Sequence, residues 1–124
     1  MFITIDPETA TPLYRQILTQ LRRAIAAGEI LPGDPLPTVR QLAGDLGVNF
    51  NTVANAYRVL ATEGLVETHQ GRGARVIARS KARYNEAEAD AALERFLSEM
   101  ILAGKSDEEI KALLADKLRE MRED

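Results

Sequence analysis

A chain of 124 residues suits one compact domain, or a small domain with an attached element, and its 45% hydrophobic content is too high for disorder. With no cysteine and a single histidine, His69, neither disulfides nor a thiolate or histidine metal centre is expected, and no cofactor is implied. No apolar run approaches the roughly 20 residues needed to cross a bilayer, and residues 1–7 lack the basic-then-apolar order of a signal peptide; a cytoplasmic chain with no membrane partner is therefore expected.

The net charge of −3 conceals a split: Met1 to Arg83 carries 10 Lys/Arg against 7 Asp/Glu, whereas Tyr84 to Asp124 carries 6 against 12. A mildly basic front joined to an acidic tail is the pattern expected when one half meets a polyanion and the other half does something else.

In chain order, a first helix is predicted over about Pro12 to Ala27. Thr11 would cap it, Pro12 would occupy the first helical position, and Tyr14, Ile17, Leu18, Leu21 and Ile25 would form one stripe. The proline- and glycine-rich stretch from Leu31 to Pro37 reads as a turn and a short extended piece. Thr38 and Gln41 have the spacing of a capping box, which predicts a short second helix over Val39 to Leu46 that stops at Gly47. Asn49 can cap a third helix running to about Glu63, with Gly64 as terminator. Two helices joined by a tight glycine turn are a helix-turn-helix signature. Leu65 to His69 and Ala74 to Ala78 then read as strands around the loop Gln70-Gly71-Arg72-Gly73, a hairpin forming the wing. From Asn85 onward the chain is helical again. Asn85/Glu88 and Ser106/Glu109 have capping spacing, and Gly104 separates two helices.

The third helix carries the clearest candidate site. At about 100° per residue, Asn51, Asn55, Arg58 and Thr62 cluster on one side, opposite Val53, Ala56, Tyr57 and Leu60. Asparagine pairs with adenine, arginine reaches guanine or phosphate, and Asn51 and Thr52 near the helix start can bond a phosphate. Arg40, early in the second helix, is expected to clamp phosphate. In the wing, Arg72 and Arg75 bracket Gly73, and a glycine tip presenting cations suits insertion into a minor groove. Tyr57 is placed in the core, with a phosphate contact from its hydroxyl as the alternative. The fold class that follows is mainly α with a small β-hairpin. A winged helix-turn-helix occupies residues 1–80, and a helical hairpin occupies residues 81–124.

The run LPTVRQLAGDLGVNFNTVANAYRVLATEGLVETHQGRGARV, from Leu36 to Val76, resembles the DNA-binding domain of the GntR family of bacterial regulators. The preceding TPLYRQILTQLRRAIAAGEILPGD resembles that family's first helix, so the likeness covers about Ile3 to Ala78. The short two-helix tail fits the YtrA-like subgroup. The resemblance implies a homodimer that represses transcription from a palindromic operator. It also implies a DNA contact at Arg40 and a close approach of Gly71 to the groove. Thr38 and Phe50, which open the second and third helices inside the matched motifs, are counted with this surface. Many relatives carry arginine at the positions of Phe50 and Ala54, so the operator sequence does not carry over.

A two-helix tail cannot close both of its apolar stripes on itself. Phe96, Leu97, Met100, Ile101, Leu114 and Leu118 are therefore expected to form a symmetric dimer interface, which also suits two half-sites one helical turn apart. The tail has little volume for a ligand pocket, so a small-molecule effector, if one is sensed, is expected at the dimer interface or between tail and wing. The expected partners are thus double-stranded DNA and a second copy of the chain. A winged helix that binds protein instead of specific DNA is the alternative. No nucleophile–base pair, phosphate loop or metal cluster points to an enzyme.

Overall fold

The computed structural model describes residues 3–69, 73–77 and 84–123. The chain divides into two compact units, Met1–Arg79 and Ser80–Asp124.

In the first unit the amphipathic α1 (Leu13–Ala26) buries Ile17, Leu18, Leu21 and Ala24. It packs on α3 (Phe50–Thr62), which buries Val53, Ala56, Tyr57 and Leu60. Between them in the chain, α2 (Val39–Leu46) adds Leu42 and Ala43 to the same core and packs on α3. β1 (Val66–His69) and β2 (Gly73–Val76) pair antiparallel, with Val66 opposite Val76 and His69 opposite Gly73. Val66, Ala74 and Val76 close the core from that side. The Pro-rich turn adds a third edge to this hairpin. The Gly33 and Leu36 amides donate to the Val76 and Ala74 carbonyls at 2.7 and 2.8 Å, and the Val76 amide donates to Asp34 at 2.9 Å. Core, helix-turn-helix and wing are thus one hydrogen-bonded body. Across its outside, Arg22 on α1 grips the Glu63 carboxylate with two hydrogen bonds of 3.1 and 2.8 Å.

The start of α1 differs from the sequence expectation. Pro12, not Thr11, is the N-cap, in an extended conformation, and no side chain caps the helix. The Thr11 carbonyl is taken instead by the Gln16 side chain at 2.9 Å. Gln16 and the next glutamine along the helix, Gln20, hold the N-terminal segment. The Gln16 amide group accepts from the Asp6 amide at 2.8 Å and donates to the Asp6 carbonyl at 2.9 Å. Gln20 treats Thr4 the same way, at 3.0 and 2.6 Å. Ile3 and Ile5, on the alternate positions, pack against the core.

The second unit comprises α4 (Glu86–Leu102) and α5 (Asp107–Glu123). Asn85 caps α4 by accepting from the Glu88 amide at 3.0 Å. Ser106 and Glu109 form a reciprocal capping box on α5, and those hydrogen bonds hold the Glu109 carboxyl below the usual carboxylate range. Ile110 is buried, Phe96, Leu97 and Met100 are half-buried, and Leu93, Ile101, Leu113, Leu114 and Leu118 are exposed. Much of the tail's apolar stripe is therefore uncovered in a single copy. No helix of the described residues is long and apolar enough to cross a membrane.

Candidate nucleic-acid interface

The site is built outward from the glycine turn between α2 and α3. Gly47 ends α2 in the left-handed conformation, φ 69°, which a side chain would resist. The chain can then reverse within two residues, and Asn49 caps α3 by accepting from the Asn51 amide at 2.7 Å. This fixes the orientation of α3 so that its inner face is core. Its outer face presents Phe50, Asn51, Asn55 and Arg58, all exposed, with Thr52 half-buried beside them. Thr62 lies on the same side, but its hydroxyl donates to the Arg58 carbonyl at 3.0 Å and is spent within the helix.

At the front of α2 the predicted capping box is present in both directions. The Thr38 hydroxyl accepts from the Gln41 amide at 3.0 Å, and the Thr38 amide donates to the Gln41 side chain at 2.9 Å. Arg40 follows on the exposed first turn. Neither its guanidinium nor that of Arg58 has a hydrogen-bond or ion-pair partner among the described residues, so both cations are available to an external anion.

Two contacts absent from the sequence reading tie these parts together. Tyr57 is 3% exposed and donates its hydroxyl to the Pro37 carbonyl at 2.6 Å, which fastens α3 to the residue preceding the α2 cap. Burial pushes the phenol well above its ordinary value, so it stays protonated and remains a donor. With its hydroxyl occupied inside the protein, Tyr57 is a core residue and the phosphate alternative falls away. The second contact is made by Gly73, φ 77°: a Cβ placed there would lie 3.4 Å from both Cα and Cγ2 of Thr38. The base of the wing thus sits directly against the start of α2.

Between these elements runs a groove of about 330 Å³ lined by Val39, Ala54, Tyr57, Arg58, Ala61, Thr68 and Gly73. It joins the recognition-type helix, the α2 start and the hairpin into one continuous surface. Arg75 has a different position from the wing-tip role expected of it. It lies opposite Glu67 in the hairpin, and its guanidinium donates to the Gly33 carbonyl, bracing the third edge of the sheet. Gly71 and Arg72 lie outside the described residues. The described residues contain no group of acidic, histidine or cysteine side chains arranged to hold a metal ion.

The sequence profile of the bacterial regulatory proteins of the gntR family matches residues 13–76, more than half of the chain and the whole of this helix-turn-helix and hairpin. The chain belongs to the GntR family. It is 48% identical over 71 residues to the HTH-type transcriptional repressor YtrA of Bacillus subtilis, a match covering 57% of this chain and 55% of YtrA. The chain thus spans about half the length of this curated relative, and the same holds for a mycobacterial regulator at 48% identity. Among solved structures, the GntR-family transcription factor YtrA from Sulfolobus acidocaldarius is 39% identical with a TM-score of 0.64. That match covers 79% of this chain and 99% of the other. The DNA-binding domain of AraR, solved in complex with operator ORX1, is 31% identical with a TM-score of 0.52 and covers 61% and 92% of the two chains. The matched family is one of bacterial regulatory proteins. The fold class is the one expected: mainly helical, with a two-stranded hairpin completing a winged helix.

Proposed function

We propose that this GntR protein is a sequence-specific DNA-binding transcription regulator that works in the cytoplasm as a homodimeric repressor on a palindromic operator. The observation that carries this reading is the single surface on which α3 exposes Asn51, Asn55 and Arg58 beside Arg40, which has no partner among the described residues. Asparagine and arginine are the side chains that read adenine and guanine edges in a major groove, and a helix of this kind enters that groove by its N-terminal turns. Arg40 and Thr38 at the α2 start are suited to the backbone, and the wing with Gly71, Arg72 and Gly73 is suited to the neighbouring groove. Arg75 supports the wing from within.

The paired state rests on the second unit. Ile101 is 64% exposed and Leu118 is 55% exposed. Together with Phe96, Leu97, Met100 and Leu114 they offer a face that a second copy would cover, placing two α3 helices on half-sites about 34 Å apart. A small-molecule effector would bind where the two copies meet.

Selection of bound sites from random synthetic duplexes tests the proposal. An enriched inverted repeat is expected. Arg40→Ala should weaken every sequence alike and flatten the salt dependence by about one ion, and Asn55→Ala should relax preference at one position of each half-site. Enrichment of no sequence at all would overturn the reading in favour of a protein-interaction module.

A further inference from the structure

The recognition face holds one residue that the polar code does not explain. Phe50 is the first residue of α3 and is 50% exposed. The helix start does not require it, because Asn49 supplies the cap and Val48 packs against the core. Phenylalanine is also a mediocre helix former, and its ring gains nothing from water. Helical side chains lean toward the N-terminus, so Phe50 projects past the end of α3 that leads into the groove. Ala54, one turn on, is half-buried and continues a small apolar strip alongside Asn51, Asn55 and Arg58. The ring can neither accept from a base nor donate to a phosphate. In a major groove the apolar group displayed by the natural bases is the 5-methyl of thymine.

We propose that Phe50 is a specificity-determining residue that reads a thymine methyl group in each half-site, packing its ring on that methyl while Asn51 and Asn55 read the adjoining base edges. The inference rests on the DNA-binding reading above and adds a definite content to it: the half-site contains a thymine at the position reached by the α3 N-terminus.

The test uses the 124-residue chain and the synthetic duplex obtained by selection, with each thymine replaced in turn by deoxyuridine, which differs only by the missing methyl. For the unmodified protein, one thymine per half-site should lose about fourfold in affinity on replacement, the worth of one buried methyl. Phe50→Ala should bind the thymine and uracil duplexes equally, and Phe50→Leu should retain part of the discrimination. Because Phe50 is half-exposed, both variants should melt close to the parent, and a circular dichroism melt checks this. Uniform tolerance of uracil at every thymine would overturn the inference while leaving specific DNA binding intact. So would a uracil penalty that persists undiminished in Phe50→Ala. A chain that enriches no sequence overturns both readings together.

Discussion

Tyr57→Phe removes one oxygen from the interior and leaves the ring in place. In the parent that oxygen donates to the Pro37 carbonyl at 2.6 Å from a side chain only 3% exposed. The substitution leaves a half-buried carbonyl short of a partner, which costs about 1–2 kcal/mol. For a unit of this size each kcal/mol moves the melting temperature by about 4–8 °C, so a fall of roughly 4–16 °C is expected at neutral pH. The same residue supplies a second, independent readout. Burial raises the phenol above its ordinary value of about 10, so near pH 11 the unfolded chain has released a proton that the folded chain still holds. The native state then binds more protons than the unfolded state, and stability falls as pH rises. The contribution is complete below pH 10 and has shrunk by about 1 kcal/mol at pH 11. Phenylalanine has no such term, and the other titrating groups cancel in the difference. Urea denaturation followed by circular dichroism at pH 7 and pH 11 should therefore show the parent ahead at pH 7 and the two proteins nearly level at pH 11. An unchanged midpoint at pH 7, or a gap that does not narrow with pH, would refute the reasoning.

Gly73→Ala should destabilise the first unit by about 1 kcal/mol, through the positive φ and the new 3.4 Å contacts with Thr38. It should also weaken operator binding severalfold in a gel-shift titration. Gly44→Ala, in open space within α2, serves as the matched control and should gain about 0.5 kcal/mol. The double substitution Ile101→Glu with Leu118→Glu, at exposed positions of α4 and α5, should leave the far-ultraviolet spectrum unchanged but yield a monomer by sedimentation velocity, with operator affinity reduced at least a hundredfold.

What the sequence made legible was local chemistry. The Thr38–Gln41 and Ser106–Glu109 boxes, the Asn49 and Asn85 caps and the glycine turn at Gly47 each signal within four residues, and each is present. The apolar period of α3 separated its buried face from its outer face for the same reason. The features that escaped notice join residues far apart in the chain. Tyr57 meets Pro37 twenty residues back, Arg75 meets Gly33 forty-two residues back, and the Pro-rich turn becomes a sheet edge. No periodicity encodes such pairs. A helical wheel treats Thr62 as a free hydroxyl and the hairpin pattern treats Arg75 as a free cation, because neither sees the carbonyl that each one finds.

The two glutamines on α1 set a further condition on the N-terminal segment. Residues four apart on a helix are about 6 Å apart along its axis, and residues two apart on an extended chain are about 6.6 Å apart, so Gln16 and Gln20 match Asp6 and Thr4 in pitch. Side-chain amides here do the work of a missing strand, and they do so as a ratchet with one tooth setting. A slip by a single residue would turn Ile3 and Ile5 outward and drive Thr4 and Asp6 into apolar surroundings, so the apolar alternation and the two glutamines favour the same register. The segment is thus held to the first helix through side-chain amides at two points, with its apolar positions turned toward the core between them.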